Sequence, residues 1–418
     1  MFRRLRPQTP LSLFFSVRKG YLALVLHAHL PFVRHPEYPE FLEEDWLLEA
    51  ITETYVPLWQ VFEGLYRDGV PFRLTMSLTP TLCAMLNDEL LRERYLRYLD
   101  RAIALCKREI DRTQSQPEIN HLARIYYSRF LECREIYVDR LKCDLVEAFK
   151  RFQDLGSLEI ITCAATHGFL PLMENHPGSV RAQILIARDE YRKAFGRKPR
   201  GIWLSECAYF TGLENYLQEA ELRWFSMDAH GLMFGSPRPR YAIYAPCFTP
   251  AGPAAFGRDR ESAKQVWSKR EGYPGDPAYR DFYRDIGHDL DLEYLRPFRL
   301  PAECDILRGA KKTSRLGTLP NRRPGVVAVK SSSGHDCSSR INALEQRLPA
   351  LKPCDHNVFV QCPLEQVMHG HIMLLAAFFV ESQPPSRAVM IVIVDFEFQH
   401  RADTGEAVEH CGNERQIP

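Results

Sequence analysis

The sequence predicts an α/β fold in which parallel strands close into a (β/α) barrel that carries a helical insertion. Three observations predict it. Short apolar runs alternate with helical stretches, and each run ends in polar residues capable of chemistry. The chain has 418 residues, 45% of them hydrophobic, enough to bury a large core. Chemistry at the carboxyl ends of many strands favours a closed barrel over an open sheet, because closure brings those ends to one mouth.

The opening residues 1–20 are basic and then briefly apolar, from Leu11 to Val17, without a small-residue cleavage site. They read as a disordered extension or a misassigned start. The barrel is expected over 21–298. Its strands are Tyr21–Leu26 ending at His27 and His29, Phe72–Met76 ending at Ser77 and Thr79, and Leu158–Thr162 ending at Thr166 and His167. Gly201–Leu204, ending at Glu206, and Leu222–Ser226, ending at Asp228 and His230, continue the series.

Helices fill the intervals. Asp45–Asp68 starts at a capping aspartate and stops at Gly69, with a kink expected at Pro57. Val180–Phe195 places Val180, Ile184, Ala187 and Tyr191 on one face before Gly196 ends it. Residues of about 88–154, rich in Arg, Leu, Tyr and Glu at helical spacing, read as the insertion, a solvated helical pair packed on the barrel. After Phe298 this order gives way to basic pairs, a serine run and scattered cysteines, until an apolar run returns at Ala388–Val394. A boundary therefore falls near Phe298, with residues 299–418 a divergent or corrupted region.

Bulk properties narrow the function. A formal net charge of +1 gives no field to draw nucleic acid or an anionic membrane, so a neutral substrate is the default. The twelve cysteines show no CxxC pair and read as reduced thiols of a cytoplasmic, soluble protein. No run reaches the ~18 apolar residues that span a bilayer. Oligomeric state is left open.

Glu206 follows a buried strand and stands between the aromatics Trp203 and Tyr209. Glycoside chemistry needs two carboxyl groups, one attacking the anomeric carbon and one protonating the leaving oxygen, while aromatic faces suit sugar rings. Buried aromatics also serve as plain core. His27 and His29, two apart on an extended segment, point the same way. They can hydrogen-bond sugar hydroxyls or hold a metal with His167, Asp228 or His230. Hydrogen bonding is preferred, since no strong metal-ligand spacing is present, and neither metal nor cofactor is expected. Asp228 can orient a histidine or keep the surroundings of Glu206 polar, and a structural turn is an equal alternative. Phe256–Asp259, Gln265–Ser268 and Gly272–Asp276 form a loop-rich, aromatic run of the kind that grips ligands.

These stretches, His27–Glu37, Thr162–Pro171, Trp203–Tyr209, Met227–Gly231 and residues 256–285, resemble glycoside hydrolase family 57, and within it the branching enzymes of α-1,4-glucans. The resemblance covers about 20–298. It implies a distorted seven-stranded (β/α) barrel of the glycoside hydrolase/deacetylase type and a retaining mechanism without metal, acting on an α-glucan. By resemblance Glu206 is the nucleophile, and Ser205 departs from the proline usual before it. His27 and His167 fall where the donor sugar is lined, Arg258 and Gly275 where related enzymes contact glucan, and Trp267 matches an acceptor-side tryptophan. The implied reaction cuts an α-1,4 bond through a covalent glucosyl-enzyme, and a glucan 6-hydroxyl replaces water to form an α-1,6 branch.

The family's acid/base aspartate lies in a Tyr-Asp-x-Glu motif with a later Trp-Trp, followed by a helical domain. The echo here is Asp395, after an apolar run, with Glu397 two on and His400 five on but no Trp-Trp. The tail is either a frame-shifted reading or a divergent end that keeps Asp395 as the acid; the abrupt end of the likeness favours the former. Without an acid the rate falls by about 10²–10⁴-fold. Alternative functions are a non-catalytic glucan-binding pseudoenzyme, an α-amylase or 4-α-glucanotransferase, and, more distantly, a metal-dependent deacetylase.

Overall fold

Alternation along the strands divides this chain into a barrel interior and an outer helical layer. The computed structural model describes residues 20–267, 286, 290–298 and 388–395. Its strands, in chain order, are β1 (Gly20–Ala28), β2 (Leu74–Leu78), β3 (Leu158–Cys163), β4 (Gly201–Trp203), β5 (Trp224–Met227), β6 (Cys247–Phe248), β7 (Ala254–Gly257) and β8 (Ala388–Asp395). Its helices are α1 (Glu44–Ala50), α2 (Val56–Arg67), α3 (Pro80–Leu86), α4 (Glu89–Arg112), α5 (Pro117–Glu135), α6 (Leu145–Asp154), α7 (Pro177–Phe195), α8 (Leu213–Glu219), α9 (Ala229–Met233), α10 (Arg260–Trp267) and α11 (Leu292–Leu295).

The strand order is β6-β7-β5-β4-β3-β2-β1-β8. Every pairing is parallel except that of the short β6 with β7. The seven parallel strands make the distorted (β/α) barrel of the expected class, with β7 and β8 at the two ends of the parallel run and β6 added outside β7. The apolar run at 388–394, placed by sequence in the divergent tail, forms β8 beside β1, and the register sets Asp395 next to His27. The domain boundary near Phe298 therefore does not separate β8 from the sheet. Residues 1–19, and the rest of the tail at 299–387 and 396–418, lie outside the described residues, as does the proposed N-terminal extension.

Side chains two apart point to one side of a strand. Ala23, Val25, Ile161, Cys163, Trp203, Trp224 and Phe256 accordingly pack together inside the barrel. The intervening Leu24, Leu26, Leu74, Met76, Leu158 and Ile160 face the helices α1, α2, α4 and α6 in the largest core. Ile202, Leu204, Phe225 and Met227 face α7 and α8 in a second core. Burial of each large aliphatic or aromatic side chain in these layers contributes roughly 1.5–3 kcal/mol.

The helices match their sequence signals with informative differences. Val180, Ile184, Ala187 and Tyr191 of α7 are buried, and Gly196 ends the helix in the left-handed conformation with φ 69°. The stretch expected to kink at Pro57 runs on as one helical segment, in which a π-helical turn over Ile51–Tyr55 directly precedes α2 and Pro57 is the second residue of α2. The insertion region divides: α4 and α5 pair as a hairpin, whereas α6 packs on β3 and α2 as the outer-layer helix of the β2 to β3 crossover. The hairpin is less solvated than its composition implied, since Tyr95, Tyr98, Leu99 and Phe130 join the largest core.

Candidate active site

The carboxyl ends of β1 and β2 build the first wall. Their register pairs His27 with Ser77. The His27 Nδ1 shares a hydrogen bond with the Ser77 hydroxyl at 2.5 Å, and His29 Nδ1 one with Thr79 at 3.2 Å. Thr79 is itself held as the N-cap of α3, accepting from the Leu82 N–H. His27 stacks on Trp203, ring centres 4.2 Å apart, and His29 stacks on His167 at 3.7 Å. Burial, and then the charge of His167, hold His27 well below the ordinary imidazole range and bring His29 to about 3. Both rings are therefore neutral at pH 7, suited to hydroxyl groups.

The ends of β3 and β4 supply the reactive pair. After β3 the chain turns through His167, whose φ of 56° is left-handed. That turn folds the ring back so that Nδ1 lies 3.0 Å from the Cys163 sulfur and Nε2 lies 3.5 Å from Glu206 Oε1. After β4, Glu206 and Cys207 are both left-handed, with φ of 56° and 54°. Such backbone costs of order 1–3 kcal/mol per residue and persists where the surroundings impose it. Here Cys207 N–H donates to Leu204 C=O, and Cys207 C=O accepts from Asp228 N–H. Ser205 and Cys207 are buried while the Glu206 side chain is 57% exposed, so the turn presents one carboxylate to the mouth.

Charge is arranged around that carboxylate. The His167 contact, against burial and with help from Arg258, holds the Glu206 pKa below the ordinary carboxylate value. Burial acts to lower the His167 pKa, and the Cys163 and Glu206 contacts overcome it and raise it to about 10. The result is an ionised nucleophile-type carboxylate beside an imidazolium. On the β5 side, Asp228 caps α9 and accepts from His230, Nδ1 standing 3.0 Å from Oδ1. Arg258, just past β7, places Nη2 3.8 Å from Asp228 Oδ2. Burial raises and these partners lower the Asp228 pKa, and the partners prevail.

The structure thus gathers His27, His29, Trp203, His167 and Glu206 into one contact chain, with Asp228, His230 and Arg258 in a second beside it. Some sequence expectations need correction. Trp203 is 1% exposed and forms the floor beneath His27, so it offers no face to a sugar, because it points into the barrel from the end of β4 and is covered by the His27 ring. Tyr209 stacks on Phe225 and donates to Glu214, outside the barrel interior. Phe256 and Gly257, expected in a loop, belong to β7, and this strand is what delivers Arg258. Trp267 closes α10 and Asp395 closes β8, while Gly275 lies outside the described residues. The thiol partner of His167 was missed; its signal was a cysteine four residues before the histidine at a strand end. Among the described residues no group of three or more His, Cys, Asp or Glu is placed to hold a metal ion. Among them, too, no helix is long and apolar enough to cross a membrane.

The site sets an exposed carboxylate beside an imidazolium at the mouth of a parallel (β/α) barrel. The chain belongs to glycosyl hydrolase family 57, whose family model matches residues 23–320. It is 33% identical over 293 residues to a 1,4-alpha-glucan branching enzyme of Thermococcus kodakarensis, covering 64% of this chain and 42% of that one. It is 28% identical over 301 residues to a probable 1,4-alpha-glucan branching enzyme of Mycobacterium tuberculosis, covering 67% of this chain and 53% of that one. The chain thus spans about half the length of these relatives. Among solved structures it is similar to the alpha-amylase AmyC of Thermotoga maritima, with TM-score 0.70 and 35% identity over 90% of this chain and 67% of that one. It is also similar to a family 57-type branching enzyme of Pyrococcus horikoshii, with TM-score 0.63 and 28% identity, over 90% of this chain and 63% of that one.

Proposed function

We propose that this chain carries the catalytic barrel of a retaining α-glucan transferase of the 1,4-α-glucan branching type, with Glu206 as nucleophile. The observation that carries the reading is the exposed, ionised Glu206 carboxylate of a left-handed turn at the barrel mouth, 3.5 Å from His167. Glu206 attacks the anomeric carbon of an α-1,4-linked glucan as the bond to the leaving segment breaks, forming a glucosyl ester. A 6-hydroxyl of another glucan segment then displaces Glu206. Neutral His27 and His29 hydrogen-bond donor-sugar hydroxyls, with Asp228, His230 and Arg258 flanking. Trp267 serves the glucan on the acceptor side, and Gly275, like Arg258, contacts glucan. Asp395 is the acid that protonates the leaving oxygen and later accepts the attacking hydroxyl's proton. Its support is the backbone register that makes it the neighbour of His27 at the end of β8.

Two relatives described as branching enzymes support transfer over hydrolysis. The likeness to AmyC supports a second reading, α-amylase hydrolysis by the same carboxylate. Incubation of the purified chain with amylose separates them: new α-1,6 linkages mark branching, and a rise in reducing ends without them marks hydrolysis. Glu206→Gln is expected to abolish either. Equal turnover by the variant and the parent would reject Glu206 as nucleophile, and glucan retention without turnover by the parent would leave a binding protein. The intracellular setting of a glycogen-type pathway belongs to the same proposal.

A further inference from the structure

We propose that Cys163 is a positioning residue for the nucleophile, its buried thiol orienting the His167 ring so that the Nε2 proton faces Glu206. The inference rests on the reading of Glu206 as nucleophile. Cys163 ends β3 on the inner face and is fully buried, with its sulfur 3.0 Å from His167 Nδ1 and 3.9 Å from the Ser205 hydroxyl. The ring of His167 is stacked on His29 with an interplanar angle of 16°. Stacking fixes the plane of an imidazole but not which way round it sits, since a half-turn about Cβ–Cγ keeps the plane and exchanges nitrogen edges for carbon. What selects between the two orientations is a partner at a nitrogen, and here the thiol is hydrogen-bonded to Nδ1 while the Glu206 carboxylate lies at ion-pair distance from Nε2, which among the described residues has no hydrogen bond of its own.

Sulfur serves both protonation states of the ring. Toward neutral imidazole the S–H donates to Nδ1, which leaves the proton on Nε2; toward imidazolium the sulfur accepts from Nδ1–H, and Nε2 again keeps its proton. In each case the proton on Nε2 lies on the side of Glu206, 3.5 Å away. Remove the thiol and Nδ1 becomes a buried polar atom without a partner, so the ring gains by turning away. Ser205 and Glu206 are neighbours in the chain, so the contacts run from the nucleophile's turn through Cys163 and His167 back to the nucleophile. The other titratable or charged groups about the ring are His27 and His29 from β1 and Arg258 after β7, which acts on Glu206.

The test uses the whole chain labelled with ¹⁵N-histidine, with the His167 signals assigned by their loss in His167→Gln. Cys163→Ala is expected to lower kcat on amylose roughly tenfold, the size of one lost hydrogen bond, with KM within about twofold. Its His167 nitrogen signals are expected to shift away from those of the parent as the ring takes up both orientations. Cys163→Ser, which keeps an O–H, is expected to restore both the parent's nitrogen signals and most of kcat. Should alanine leave the barrel unfolded by thermal melt, Cys163→Val keeps the volume, lacks the hydrogen bond and is expected to show the same losses. Parent-like nitrogen signals in the alanine or valine variant, or a serine variant no better than either, would overturn the proposal. The spectra need no turnover, so loss of the nucleophile reading through an active Glu206→Gln remains distinguishable.

Discussion

The Nε2 nitrogen of His167 stands 3.5 Å from the Oε1 oxygen of Glu206, joining the end of β3 to the end of β4 across the barrel mouth. The pair is an ion pair between unequally buried partners, since the His167 side chain is 9% and the Glu206 side chain 57% exposed. In the proposed mechanism the pair keeps the Glu206 carboxylate ionised without closing it off from substrate.

The acid limb of kcat/KM follows from that pair. Because His167 lowers the Glu206 pKa from its ordinary 4.5, the limb is expected below pH 4.5 in the parent. His167→Gln removes the positive partner and shifts the limb to higher pH. A pH profile of the two proteins on amylose checks this, and coincident limbs would disconnect His167 from Glu206.

Stability should peak near the ordinary imidazole value. His27 and His29 are depressed from 6.5, the latter to about 3, so the unfolded chain takes up protons that the folded chain refuses, and stability falls as pH drops below 6.5. His167 is raised from 6.5 to about 10, so its contribution is complete below 6.5 and is lost as pH climbs toward 10. Each such group gives a slope of about 1.4 kcal/mol per pH unit within its window. Urea midpoints across pH 4–10 test the shape: His167→Asn should flatten the alkaline decline and soften but not remove the acid one, since burial, the larger cause at His27 and His29, remains.

Arg94 and Glu44 form a buried ion pair, 5% and 2% exposed, and Arg94 also donates to the His35 and Tyr38 carbonyls of the segment after β1. Arg94→Met leaves the Glu44 carboxylate buried and unpaired, a loss of about 3–5 kcal/mol in chemical denaturation. The double variant Arg94→Met/Glu44→Met is expected to recover much of it. A single variant as stable as the parent would show that Glu44 finds water instead.

Gly201 opens β4 directly against the Trp224 indole, which a Cβ at that position would strike. Gly201→Ala forces the ring or the strand to move and is expected to cost about 1–3 kcal/mol. Because β4 leads into Glu206, kcat should fall with it. Thermal melts and amylose turnover read the two effects, and an unchanged kcat would show that the nucleophile turn is held from its other side.

Local pattern alone carried much of this protein. The apolar runs ending at His27, His167, Glu206 and Asp228 marked real strands, with ends moved by up to two residues, because strand burial is written as a run of apolar side chains. The strand-end motif Trp203–Tyr209 likewise marks Glu206 in the sequence itself. What tertiary structure decided were relations across the sheet. Cys163 reaches His167 only through a left-handed turn, Trp203 sits beneath His27, and β8 pairs with β1 across more than 300 residues of chain. Periodicity is set by the backbone of one segment, whereas these contacts depend on register and on which side of the barrel each residue faces. Those are fixed only when all the strands pack at once, so that residues of types common to any core become, by position, the floor and supports of a reactive site.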